Sequence, residues 1–240
     1  MKLLIATPMY GGMCTGEYTR SMIHVPIGLN ANGVDVSFAF IFNNSLVQSA
    51  RNTLANIFVK HDFTHMMFID ADIKFDVRDI LSMLKADKDV LAGIYPKKEI
   101  NWYTVEQAVK RGVPMEELTN YTGSLVVNLV NYDKEKEVPV MEPAEVFGAG
   151  TGFMLIKKQV FEALKDKVQT YIDDDEQEIG EYFFLMKDPV LGKQLSEDYA
   201  FCHLCRENGI KIHVAPWVRL GHTGSYLFEG SVIPKGARNG

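Results

Sequence analysis

An unbroken apolar run, Met66-Met67-Phe68-Ile69, stops abruptly at Asp70-Ala71-Asp72. A run with no polar alternation suits a strand buried on both faces, the kind found in parallel sheets covered by helices. The carboxyl end of such a strand is where an open α/β sheet receives its ligands. In an extended chain residues two apart share a side, so Asp70 and Asp72 are expected to project together. Clustered carboxylates repel each other unless a proton or a cation lies between them. A hard divalent ion, Mn2+ or Mg2+, satisfies that condition and keeps coordination positions open for a diphosphate. The motif is short, so its surroundings decide what it means.

Those surroundings alternate strand and helix. Lys2 to Ala6 predicts a first strand, Thr7 to Gly16 a loop, and then a helical segment to about Asn32, interrupted or kinked at Pro26 and closed by Gly33. Val34, Val36, Phe38 and Phe40 alternate as a strand does, and Ser49 to His61 places Leu54, Ile57 and Phe58 at helical spacing. Asp76 caps a helix with Val77, Ile80, Leu81 and Leu84 on one face, and Asp89 to Gly93 is a further strand. Later come a helix at Thr104 to Arg111, strands at Leu125 to Leu129 and Phe153 to Ile156, and a helix from Gln159 to Leu164. Ser196 caps a helix running to Asn208, and Ile210, Ile212 and Val214 alternate in a last strand. The expectation is one α/β domain over residues 1–240, with a mobile tail from Ser225 and solvated acidic residues at Asp173 to Glu178.

Composition narrows the function classes. A net charge of −6 gives no general attraction to nucleic acid, although Lys97-Lys98 allows a local basic patch. No apolar run approaches the roughly 20 residues of a spanning helix, and Met1 to Ala6 is too short for a signal peptide's apolar region. A soluble cytoplasmic protein is therefore the default expectation. Three cysteines imply no disulfide framework, and Cys202 and Cys205 have ordinary core spacing on a helix rather than a complete zinc set.

Four constellations accompany the acids. Thr7-Pro8-Met9-Tyr10 follows the first strand, where Tyr10 can stack on a base, or where the chain simply turns. Ser49-Ala50-Arg51-Asn52 opens the helix before the acidic strand. A cation in a first helical turn opposes the helix dipole, which favours a functional role for Arg51 near a diphosphate or the two acids. Gly148-Ala149-Gly150-Thr151-Gly152 lacks the Lys of a P-loop and precedes a strand, so it reads as backbone passing close to a sugar ring, or as a flexible bend. Glu197-Asp198 begins a helix, where acids suit the dipole and where one of them can accept a proton from a hydroxyl. Adjacent residues on a helix point about 100° apart, so only one of the pair faces a site. His222 sits in a loop from which an imidazole can reach a cation.

In order and spacing, these pieces resemble a glycosyltransferase of the GT-A fold, similar to family two and its phage and viral relatives. The matching stretches are Thr7 to Tyr10, Ser49 to Asn52, Phe68 to Ile73, Gly93 to Pro96, Gly148 to Ile156, Ser196 to Asp198 and Val218 to His222. The resemblance implies a Rossmann-like nucleotide-diphospho-sugar transferase fold with a mixed central sheet flanked by helices. It implies a nucleotide-sugar-binding half at residues 1–96 and an acceptor-binding half at 97–224. Thr7, Pro8 and Tyr10 would hold the nucleoside, with Arg51, Asp70 and Ala71 near the ribose and diphosphate. Asp72 and His222 would bind Mn2+ or Mg2+, with Asp70 a direct or water-bridged ligand. Gly150, Thr151 and Gly152 would line the sugar and acceptor pocket, and Asp198, in preference to Glu197, would be the base of an inverting transfer. The implied partners are a nucleotide-sugar donor, UDP-linked by preference, and a glycan or other hydroxyl acceptor. Asp35 is misplaced for the acid that holds the base in many such enzymes.

Two other readings compete. A haloacid-dehalogenase-type phosphatase also places DxD after an apolar strand, but its motif comes earlier and carries Thr or Val shortly after, where this chain has Ile73 and Lys74. A domain of the same fold without turnover would bind the nucleotide and stop there.

Overall fold

The computed structural model describes residues 1–125, 130, 140–190 and 192–225. Strands β1 (Lys2–Met9), β2 (Asp35–Phe42), β3 (His65–Ile69), β4 (Ile73–Lys74), β5 (Val90–Gly93), β6 (Ala144–Val146) and β7 (Phe153–Lys157) come first in the chain. β8 (Thr170–Ile172), β9 (Glu178–Gly180), β10 (Met186–Lys187), β11 (Gln194–Leu195), β12 (Ile212–Ala215) and β13 (Gly221–His222) follow. The helices are α1 (Gly16–Met22), α2 (Val25–Asn30), α3 (Val47–Lys60), α4 (Val77–Ala86), α5 (Trp102–Lys110), α6 (Lys158–Leu164) and α7 (Glu197–Glu207).

One seven-stranded sheet, in the order β2-β1-β3-β7-β5-β12-β6, organises the molecule. β2, β1 and β3 are mutually parallel and β5 is parallel to β12, while β7 runs antiparallel between β3 and β5, and β6 antiparallel at the edge. The two halves expected from the sequence thus share one sheet, because β7 inserts between β3 and β5 and β12 pairs alongside β5. Alternate residues feed two apolar layers. Leu4, Ala6, Met66, Phe68, Met154 and Ile156 pack against Leu54 and Phe58 of α3 and against Phe161 and Phe201 of α6 and α7. Leu3, Ile5, Met67, Ile69 and Leu155 pack against Leu29 of α2 and Ile80 and Met83 of α4. Double-sided burial explains why β3 needed an unbroken apolar run.

Several boundaries differ from the sequence reading. β1 runs on through Thr7, Pro8 and Met9 because they pair in register with Phe40, Ile41 and Phe42 of β2. α3 starts at Val47, so Arg51 lies beyond the first turn and the expected conflict with the helix dipole does not arise. β2 is an edge strand whose Phe38, Phe40 and Phe42 are exposed and stacked in a ladder, with ring centroids 6.4 and 6.3 Å apart. Asp76 caps α4 as expected, in a reciprocal capping box with Asp79. The acidic run forms the turn between β8 and β9, where Asp173 Oδ1 accepts from the backbone N–H groups of Asp175 and Gln177. Cys202 and Cys205 are buried in the core; Cys202 donates to the Ala149 carbonyl, and burial pushes its thiol up to about 12. The strand expected at Leu125 to Leu129 falls, from residue 126 on, outside the described residues, as does nearly all of the tail from Ser225.

Candidate active site

The strand order 2-1-3 reverses direction between β1 and β3, and a crevice at the carboxyl ends of strands at such a reversal is where open α/β sheets bind ligands. Asp70 follows β3 at that point, its N–H bonded to the Gly152 carbonyl at 2.9 Å. The chain turns at once: the N–H of Ile73 donates to the Asp70 carbonyl at 3.1 Å, and the N–H of Thr15 and of Thr223 fix the carbonyls of Ala71 and Asp72, both at 2.9 Å. The extended geometry expected for Asp70-Ala71-Asp72 is therefore replaced by a turn, and the two carboxylates go to different partners.

Asp70 belongs to Arg51. Nη2 of Arg51 donates to Oδ1 and Oδ2 of Asp70 at 3.0 and 3.3 Å, and Nε to Oε1 of Glu197 at 3.3 Å. The guanidinium lies over the Phe68 ring, 5.3 Å from its centroid. Arg51 is only 3% exposed. Burial works against its charge, but Asp70 and Glu197 outweigh that penalty and hold its pKa above the ordinary value. Its Nη1 and the Thr151 Oγ1 are buried without a hydrogen-bond partner among the described residues. Beside Arg51, Asn52 clasps the backbone N–H and carbonyl of Phe183 at 2.8 and 2.9 Å, fixing the chain that runs under α3.

Asp72 faces a different set. The short antiparallel pair β4 and β13 aligns His222 with Ile73, which brings the imidazole beside the turn. His222 Nε2 is 3.4 Å from Asp72 Oδ1, and Lys98 Nζ contacts Oδ2. Burial pushes the Asp72 carboxyl up, yet the hydrogen bonds from His222 and Lys98 prevail and hold it below the ordinary value. Nδ1 of His222 lies 2.9 Å from the Pro96 carbonyl, which can only accept, so Nδ1 carries the proton. Nε2 then faces Asp72, donating to the carboxylate where the ring carries both protons and offering its lone pair to a cation where the ring is neutral. The 3.4 Å separation of the two donors is close to the ~3 Å between adjacent ligands of an octahedral ion bound at about 2.1 Å. Asp72 and His222 therefore fit as two protein ligands of a hard cation. No cluster of three or more His, Cys, Asp or Glu suited to a metal occurs among the described residues, so the remaining ligands would come from diphosphate oxygens and water.

Two cavities meet at this point. One, of about 470 Å³, is lined by Pro8, Tyr10, Thr15, Asn44, Asp70, Ala71, Asp72, Lys98 and His222 among others. The other, of about 360 Å³, is lined by Tyr95, Lys98, Gly150, Asp198, Tyr199 and His222 among others. Pro8, Tyr10, Asp70, Ala71, Asp72 and His222 thus come together as the sequence suggested, and Asp198 and Gly150 gather next door. Glu197 and Asp198 do part company: Glu197 turns inward to Arg51, while Asp198 faces the second cavity and accepts from Ser196 Oγ and from the Tyr199 N–H.

Other expected residues are placed differently. Thr7 is fully buried, its hydroxyl 2.8 Å from that of Tyr18, so it supports β1 from beneath rather than lining the cavity. The partner that makes Gly150 and Gly152 necessary is Tyr95: a Cβ on Gly150 would stand 2.2 Å from its hydroxyl and one on Gly152 2.8 Å, and the Gly152 N–H donates to that hydroxyl at 3.2 Å. Thr151 is buried between them. Lys98 had no site role in the sequence reading beyond a basic patch. Its signal was position, a lysine pair immediately after the carboxyl end of a predicted strand.

By sequence, no protein-family model and no curated protein matches the chain. Among solved structures, A197 from STIV aligns over 94% of this chain and 87% of its own, at a TM-score of 0.50 and 16% identity, a likeness of fold alone. GalNAc-T7, solved with UDP, GalNAc and Mn2+, and S. aureus TarS 1-349, solved with UDP-GlcNAc, align at TM-scores of 0.45 and 0.42 with 12% and 11% identity. This chain spans 43% and 60% of those two chains. The fold class is the expected one, an α/β fold with a mixed central sheet flanked by helices.

Among the described residues, no helix is long and apolar enough to cross a membrane.

Proposed function

We propose that the protein is a metal-dependent glycosyltransferase, similar to family two, that moves a sugar from a nucleotide diphosphate to an acceptor hydroxyl with inversion. The observation that carries this reading is the pair of adjoining cavities, one holding Asp70 to Asp72 and the other Asp198, with Lys98 and His222 on the wall between them. A donor in the first and an acceptor in the second would meet at that wall.

Tyr10, 72% exposed at the cavity's rim, offers a face for a nucleobase. Asp72 and His222 would hold Mn2+ or Mg2+, which supplies Lewis-acid neutralisation of charge on the departing diphosphate. Arg51 keeps the Asp70 carboxylate fixed beneath the donor. Asp198 would take the acceptor's proton, a contribution typically of about 10²- to 10⁴-fold. Glu197, already committed to Arg51, is left out of that step.

A thermal-shift panel of UDP-, GDP- and dTDP-sugars with and without Mn2+ tests the donor half, since a ligand that binds only the native state raises its stability. A shift with UDP-sugars that requires the metal is expected; phosphate release from simple phosphoesters with no nucleotide-sugar shift would replace this reading with the phosphatase one. For the chemistry, Asp198→Asn is expected to lower transfer about 10²-fold or more while leaving nucleotide binding intact. Full activity in that variant would remove the inverting base.

A further inference from the structure

Lys98 raises a question that the transfer mechanism leaves open. Its ammonium contacts Asp72 Oδ2, and the other oxygen of that carboxylate faces His222. The lysine has a seat: a Cβ on Gly224 would come within 2.9 Å of Lys98 Cδ, so the glycine leaves room for the stem. The backbone around it is pinned by the Lys97 N–H on the Ser124 carbonyl at 3.1 Å and by the Glu99 N–H on the Lys97 carbonyl at 2.9 Å. The side chain is 41% exposed, so its head can leave for a new partner at little cost. Asp70 offers no alternative anchor nearby, since Arg51 takes both of its oxygens.

Resting on the reading of Asp72 and His222 as metal ligands, we infer that Lys98 is a resident counter-cation that couples metal binding to nucleotide binding. In the ligand-free protein it neutralises Asp72 and repels a divalent ion arriving at the same carboxylate. When a diphosphate arrives with the metal, the ammonium transfers from Asp72 to a phosphate oxygen, so its repulsion becomes an attraction to the ligand. Metal alone then binds weakly, and metal and nucleotide each strengthen the other by the same factor.

The test measures Mn2+ binding by the electron-spin signal of the free ion and UDP binding by calorimetry, in the wild type, Lys98→Met and Lys98→Arg. Lys98→Met keeps the stem and removes the charge. It is expected to bind Mn2+ alone about tenfold more tightly and UDP with Mn2+ about tenfold more weakly, which, with UDP alone bound as in wild type, shrinks the coupling factor about tenfold. Lys98→Arg is expected to keep most of the coupling. Mn2+ affinity within about twofold of wild type in Lys98→Met, measured without nucleotide, overturns the role of Lys98 and leaves the metal site standing. Absence of Mn2+ binding in every variant, with and without UDP, defeats the metal reading and this inference together.

Discussion

Asp70 and Asp72 are separated by one residue and live in opposite environments. Both oxygens of Asp70 accept from Nη2 of a guanidinium that is itself buried, bonded through Nε to Glu197 and laid over Phe68. Asp72 is met by an imidazole and by the ammonium of a partly exposed lysine, where two cavities adjoin. An ion pair to a buried guanidinium resists exchange, because removing its acids strands the guanidinium's charge away from water. An ammonium on a flexible stem exchanges readily. The first acid therefore anchors the turn, and the second is available for chemistry.

The largest effect that can break this contrast is on the anchored side. Arg51→Met strands the carboxylates of Asp70 and Glu197 and is expected to cost about 3–5 kcal/mol in urea unfolding. An unfolding midpoint equal to wild type would show that the cluster anchors nothing. Asp72→Asn, on the exchangeable side, is expected to leave stability within about 1 kcal/mol and to weaken UDP binding in Mn2+ about 100-fold, or about 2.8 kcal/mol. Equal loss of stability in the two variants would erase the distinction. Glu197→Gln keeps an acceptor for Arg51 Nε and loses only the charge, so about 1 kcal/mol of stability is expected to go, with transfer retained. A collapse of transfer in that variant would exchange the roles assigned to Glu197 and Asp198.

The smallest effect is a pH dependence. The Asp72 carboxyl is held below its ordinary value in the folded protein, so its contribution to stability is present above the unfolded pKa and is lost as the pH falls through the folded one. The difference in unfolding midpoint between wild type and Asp72→Asn should be flat from about pH 7 to pH 5 and should change only below about pH 4. A difference that moves instead near neutrality would assign the titration to another group.

Elements long enough to show a period were legible in the sequence. β3 announced itself by an apolar run, α4 by the cap residue Asp76 and a one-sided apolar face, and α7 by Ser196 and its two acids. The short strands β4, β6 and β13 carry two or three residues each, too few for any periodicity, and they exist only through pairing with distant chain. The extended reading of Asp70 to Asp72 failed for a non-local reason, since the turn is fixed by the N–H groups of Thr15 and Thr223, far away in the chain.

The residue types needed for cation and diphosphate chemistry, their order along the chain, and their placement at the carboxyl ends of buried strands were set by the sequence, because strand burial and helix capping leave local periodic marks. Which acid meets which cation was decided by tertiary contacts. Arg51 reaches Asp70 across the packing of α3 on β3, Glu197 swings in while Asp198 stays out, and the pairing of β13 with β4 delivers His222 to Asp72. Such assignments depend on side-chain direction at long sequence separation, and no local pattern encodes that.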